Sequence, residues 1–339
     1  MGEGRRRRLG RLRRVPREGL QGLHGPLGGR PGLSDHHRIP LDTFHYKWSP
    51  SHEPVLTVKS GETVTFDIND VGSWQINARS TDADVMRFDS SKLYPLAGPV
   101  FVEDAKPGDA LLVEVVEVTV ADFGWSYIQP GFGLLEEFKR PFLYKWSLKN
   151  KRHAPFVKGI RVPLSPFCGV LGVAPRRRGL TEVGPPGRHG GNMDIRHLTA
   201  GSSVRIPVQV EGALFSTGDV HAAMGDAEVC GTAIECAGSA KLRLSLEKEA
   251  GLTYPRFSAL GDKKPRKGYA AATGIGPDLM EATKDSVRNM VGWLTGAYGL
   301  SREEAYILCS VAADVRVHEI VDRPNWVVGT MISKDILPN

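Results

Sequence analysis

A chain of 339 residues, 41% hydrophobic and 24% charged, has ordinary globular composition and enough length to bury a large core. Its formal net charge is +6, but residues 1–40 hold ten arginines against Glu3, Glu18 and Asp35, a net of +7 that leaves the remaining chain at −1. A near-neutral body excludes nucleic-acid binding as the meaning of the basic balance, and no stretch reaches the roughly 18 apolar residues of a membrane span.

The first 40 residues are rich in Arg, Gly and Pro and lack the apolar run of a secretory signal. Low apolar content and self-repelling charge predict a disordered extension over 1–40. Beyond it, EPVLTVKSG and ETVTFDIND read as two strands around a Ser60-Gly61 turn, with Val64, Phe66 and Ile68 alternating at period two. LLVEVVEVTV at 111–120 is β-branched and too apolar for an edge, although Glu114 and Glu117 interrupt it. Residues 130–190 are Pro/Gly-rich and read as irregular. Strands resume at 204–210, near 213–217 and at 240–246. Many short strands with turn signals between them predict a mainly β fold: a jelly roll, sandwich or distorted barrel.

The period changes after Pro277. Leu279, Met280, Val287, Met290, Val291 and Leu294 fit one helical face, and Gly299 suits the stop. Ser301 with Glu304 reads as the capping box of a second helix, followed by strands at VRVHEIV and NWVVGTMI. The KKPRK cluster at 263–267 reads as a solvated loop. The expected organisation is a 1–40 extension, a β-rich catalytic region over 41–250 and an α+β C-terminal portion over 251–339 that completes the same unit. Cys168, Cys230, Cys236 and Cys309 form no CxxC pair and read as buried thiols of a reducing cytoplasm.

The densest chemistry lies in FSTGDVHAAMGDAEVCGTAIEC at 215–236, where Asp219, His221, Asp226, Glu228 and Glu235 interrupt an apolar, Gly-punctuated run. Unpaired buried charge costs several kcal/mol unless it is paired or bound to metal. Asp219 and His221 lie two apart, so on a strand both point to one face, where an imidazole and a carboxylate can hold a divalent cation.

Six phrases in chain order, GPVFVEDAKPGDAL, PGFGLL, HGGNMDIRHLTAG, ALFSTGDVHAAMGDAEVCGTAIE, TGIGPDLMEA and LSREEAYILCSVAADVRV, resemble the acetamidase/formamidase family from about His45 to Val328. The resemblance implies hydrolysis of short aliphatic amides to ammonia and a carboxylate, a mostly β jelly-roll-like fold with a helical C-terminal part, zinc with calcium as a further ion, and homo-oligomers. It also puts Gln in the family where Met224 stands here. A thioether cannot donate a hydrogen bond, so the difference bears on substrate preference.

A catalytic zinc takes about three N/O ligands and keeps one position open. Asp194, Asp219 and His221 are the expected ligands, with His189 as a second imidazole nearby. Glu235 is a candidate general base or fourth ligand, Glu114 a buried acid, and Asn192 a donor to the developing oxyanion. Met193 and Phe215 are expected as apolar walls, and His45 as a residue that can reach the site. Two rival readings stay open: a nucleophilic amidase using Cys230 with Glu228 and Lys241, and a non-catalytic metal-binding β module.

Overall fold

The computed structural model describes residues 36–134, 137–157, 160–259, 267–300, 302, 305, 308–309 and 312–338. Sixteen strands join in one sheet, and a separate hairpin pairs His153–Pro155 with Arg161–Pro163. The main path runs Gly190–Asn192, Phe167–Gly172, Phe215–His221, Glu235–Glu247, Ala110–Ile128, Ser203–Pro207, Arg256–Ala259, Tyr269–Gly276, Trp326–Ser333 and Ala313–Glu319. The sheet is large and mostly antiparallel and does not close on itself among the described residues. The fold is therefore mainly β with a C-terminal helix, and the barrel alternative is set aside.

Ala110–Ile128 is the sheet's spine. It runs antiparallel to Glu235–Glu247 along most of its length and also pairs with Ser203–Pro207 and Phe142–Ser147. Val64, Phe66 and Ile68 are buried on Glu62–Ile68, as their alternation predicts. Leu56–Val58 and Glu62–Ile68 do not form the expected hairpin. The first lies parallel to Leu96–Val102, while the second pairs with Glu235–Glu247. The Ser60-Gly61 turn therefore sends consecutive strands to different neighbours.

Two other expectations need correction. Residues 130–190 contain four short strands, Phe142–Ser147, His153–Pro155, Arg161–Pro163 and Phe167–Gly172, whose Gly and Pro punctuation hides their alternation. The extension expected over 1–40 is ordered at its end, where His36–Ile39 lies parallel to Glu62–Ile68 and Arg38 donates two hydrogen bonds to Asp67, at 2.8 and 2.9 Å; its first 35 residues lie outside the described residues.

The long helix spans Leu279–Tyr298, with Asp278 capping the Glu281 N–H at 2.8 Å and Gly299 closing it in the left-handed region. Met290, Val291 and Leu294 pack against Ala270, Ala272 and Ile332. Met280 departs from the predicted face and is 61% exposed. Arg302, Ala305, Leu308, Cys309 and Ala312 are helical, but the expected Ser301–Glu304 box and most of the KKPRK cluster lie outside the described residues. No described helix is long and apolar enough to cross a membrane.

Candidate active site

The Phe215–His221 strand carries its carboxylate and imidazole into the interior, with Asp219 and His221 both almost fully buried. A regular strand would align them by alternation, but here Asp219 has φ 57°, in the left-handed region. Asp194 and Glu228 share that conformation, at φ 47° and 48°. Non-glycine residues held there cost on the order of 1 kcal/mol each and concentrate at functional sites.

His221 is the hub. Its Nε2 lies 3.1 Å from Asp219 Oδ1, 3.1 Å from Glu235 Oε2 and 3.9 Å from Glu228 Oε1, and its Nδ1 is 3.8 Å from Asp194 Oδ1. Glu235 is fixed from the other side, where its Oε1 accepts from the Ala233 N–H at 2.7 Å. Asp322 joins the cluster beside Asp194 and Glu228. Asn192 donates to Asp322 Oδ2 at 2.6 Å, so its amide NH₂ is engaged with a carboxylate. Behind Asp322, Glu319 accepts from the N–H groups of Val321 and Asp322.

The neighbouring strand Phe167–Gly172 makes room for these groups. A Cβ at Gly169 would stand 2.4 Å from Asp194 Oδ1, 2.9 Å from Asp219 Oδ2 and 3.0 Å from His221 Cε1. Glycine is required here because the cluster occupies the space of a side chain.

So many buried acids strongly perturb one another. Burial pushes Asp194 and Glu228 well above the usual carboxylate range, and neighbouring acids add to the shift. Burial likewise raises Glu235 and Asp322 to about 7 and Glu319 to about 8. For His221 burial acts downward, but Glu235 and Asp219 overcome it and hold the imidazole well above its ordinary value.

The donor set suits a metal ion. Asp194, Asp219 and His221 place ligand atoms within 4.8 Å of one another, as do His221, Glu228 and Glu235, and Asp194, Glu228 and Asp322. Both Asp194 oxygens and His221 Nδ1 are buried without a hydrogen-bond partner among the described residues. Buried polar atoms are rarely left so, and imidazole with carboxylates is the chemistry of a catalytic dication site.

The cluster opens into a cavity of about 420 Å³ that exposes Asn192, Asp219, Glu228, Glu235 and Asp322 to one side. The facing wall is aromatic, with Tyr94, Trp125, Tyr127 and Phe132. Trp125 and Tyr127 stack at 5.6 Å and 16°. Trp125 also donates to Asp70 at 3.4 Å, which ties the wall to a buried acid.

The structure brings together Asp194, Asp219, His221, Glu235 and Asn192, but not Glu114 or His189. Glu114 lies on the partly exposed face of the central strand, 3.7 Å from Arg243, because the LLVEVVEV strand turns that position away from the core. His189 packs its ring against Trp48 at 5.5 Å and against Gly187 and Gly191, so its burial reflects packing. His45 Nε2 meets Ser216 Oγ at 2.8 Å, outside the cluster. Met193 and Phe215 are fully buried in the main core and do not line the cavity. Met224 faces a second cavity, with Asp226 and Cys230.

Sequence reasoning missed Asp322, Glu319, Asp70 and the aromatic wall, and it gave Glu228 too little weight. The signal for Asp322 is the VDRPNW segment, an acid that follows the apolar end of a strand pattern and stands two residues before a proline. Cys230 lacks a nucleophile's setting: its thiol donates to the Thr232 carbonyl at 3.4 Å and lies 3.6 Å from the Thr232 hydroxyl. Lys241 sits opposite Glu117 and Thr65 in the sheet.

Known proteins share the sequence and fold of this chain. The sequence profile of the acetamidase/formamidase family matches residues 35–183 and 177–339. A formamidase from Methylophilus methylotrophus is 27% identical, across 87% of this chain and 91% of its own length. An acetamidase from Mycolicibacterium smegmatis is 29% identical, across 78% and 84%. The crystal structure of an acetamidase from Bacillus halodurans superposes with a TM-score of 0.81 at 30% identity, covering 88% of this chain and 97% of that one. The chain thus belongs to the acetamidase/formamidase family and is a hydrolase of the carbon–nitrogen bond in linear amides.

Proposed function

We propose that the chain cleaves short linear amides such as formamide and acetamide to the carboxylate and ammonia, using a divalent cation, zinc by donor type, held by Asp194, Asp219 and His221. The observation that carries this reading is one buried imidazole ringed by carboxylates with unpartnered atoms, beside a half-open cavity lined by aromatic rings. A bound dication supplies Lewis acidity, polarising the amide carbonyl and lowering the pKa of water towards ~7.

The protein's own groups do the rest. Glu235 is anchored through Oε1 to the Ala233 N–H and keeps Oε2 at the hub, so it is placed to take a proton from water and return it to the leaving nitrogen. Glu228, in the same cavity wall, is a second carboxyl able to carry that proton. Asn192 holds Asp322 in place and presents its amide to the cavity. Trp125 and Tyr127 cover the acyl group and exclude bulk water. The names of the formamidase and acetamidase relatives support the substrate class. Four free cysteines fit our placement of the enzyme in a reducing cytoplasm, and we include homo-oligomeric assembly in the proposal.

Ammonia release from formamide, acetamide and propionamide tests the reading, with metal content measured on the same preparation. We expect turnover that a chelator removes, that added zinc restores and that thiol reagents leave intact. Full activity in protein free of stoichiometric metal would overturn it.

A further inference from the structure

We propose that His197, Asp226 and His318 form a binding site for a first-row transition-metal dication such as Zn²⁺, separate from the catalytic cluster. These three side chains place ligand atoms within 4.8 Å of one another. The other three such groups among the described residues share members with each other, and this one shares none with them.

Each element contributes for a local reason. His197 follows the Gly190–Asn192 strand, three residues past Asp194. Asp226 sits on the loop after the His221 strand. His318 stands at a β-bulge, where the pairing of Ala313–Glu319 with Trp326–Ser333 shifts between Val317 and Glu319. The two imidazoles meet edge to face at 5.7 Å.

His318 is 0% exposed, and neither of its ring nitrogens has a hydrogen-bond partner. A buried imidazole satisfied by nothing is rare and asks for a ligand. Asp226 Oδ1 is also buried without a partner, while Oδ2 accepts from Arg316 at 3.0 Å. One carboxylate oxygen is thus open while its twin is held. Burial, with His197 and the two arginines 196 and 316, lowers His318 to about 3, so the ring is in the neutral form that binds metal.

The identity of the ion follows from the donors. Two imidazoles and one carboxylate suit zinc, copper or nickel, whereas calcium and magnesium want oxygen ligands. Arg316 and Arg196, 3.0 and 3.8 Å from Asp226 Oδ2, oppose any cation by charge, so the affinity has to come from the two imidazoles and Asp226 Oδ1. Asp226 borders a cavity of about 480 Å³, which gives an entry path. An ion here would pin the loop that carries Glu228 to the strand that precedes Asp322. That junction is already marked by the Ala227 N–H donating to the His318 carbonyl at 3.0 Å.

The test is metal stoichiometry on chelator-stripped full-length protein titrated with Co²⁺, with melting temperature followed as Zn²⁺ is added. We expect wild type to bind one equivalent more than Asp226→Asn and His318→Asn, and to gain a zinc-dependent rise in melting temperature that both variants lack. His221→Asn should keep this equivalent whatever it does to the catalytic cluster, so the two sites fail or stand independently. Should His318→Asn not fold, Asp226→Asn decides, since that side chain is 28% exposed. Equal stoichiometry in wild type and folded Asp226→Asn would overturn the proposal.

Discussion

Asp219 and Glu235 both approach His221 Nε2 at 3.1 Å, and among the described residues no other histidine enters the cluster around it. Replacing His221 by Asn keeps the size and removes the hub, so ammonia release should fall by more than about 10²-fold with the far-UV spectrum unchanged. Glu114→Gln should leave turnover at the wild-type rate, because that carboxylate faces Arg243 and not the cavity. Both outcomes are read from one amide assay with circular dichroism as the control. The difference between these two residues explains what was legible at this scale. Asp194, Asp219, His221 and Glu235 lie in phrases whose small residues leave no room for a surface role. Glu114 and His189 are also polar residues among apolar ones, but one turns outward and the other meets Trp48 edge to face. Asp322 and Glu319 are isolated acids some hundred residues downstream, and no spacing links them to His221.

Among the elements, Phe167–Gly172 decides whether the site can exist. It contributes no ligand, yet the absence of a side chain at Gly169 leaves the volume that three ligand groups fill. Gly169→Ala should lower stability by about 1–3 kcal/mol through overpacking and should cost metal and turnover together. Wild-type metal content with reduced activity in this variant would show that the strand does not shape the ligand set. The stop of helix Leu279–Tyr298 was readable from Gly299, but its start was not: Asp278, which the sequence did not single out, caps the first turn, and Pro277 lies outside the helix. Strand identity was readable from alternation, but pairing was not. Leu56–Val58 and Glu62–Ile68 are consecutive yet take different partners, a choice made by the assembled core and not by the turn between them. The left-handed backbone at Asp219 was equally invisible, since aspartate is common in both regions.

For the whole molecule, the buried titratable groups set a pH window. His45, His189 and His318 are lowered to about 4, 4 and 3, with burial the leading cause. Their unfolded forms bind protons below 6.5, so the stability tied to them is lost as pH falls through that range. Glu235, Asp322 and Glu319 are raised to about 7, 7 and 8, so the folded state binds the extra protons, and stability falls as pH rises to those values. Between pH 6.5 and 8 only the second effect remains. Metal-free protein should therefore melt at lower temperature at pH 8 than at pH 6.5, and bound metal should flatten the trend by neutralising the acids. Scanning calorimetry at the two pH values, with and without chelator, measures this, and a flat profile in the metal-free sample would contradict it. The sheet's connectivity adds a temporal consequence. Asn192 donates to Asp322, and Glu319 lies beside it, so the acid cluster joins residues about a hundred positions apart. A polypeptide synthesised only as far as residue 312 has His221 and its flanking acids but not Asp322, so the cluster closes only after the Ala313–Glu319 strand has been made and paired.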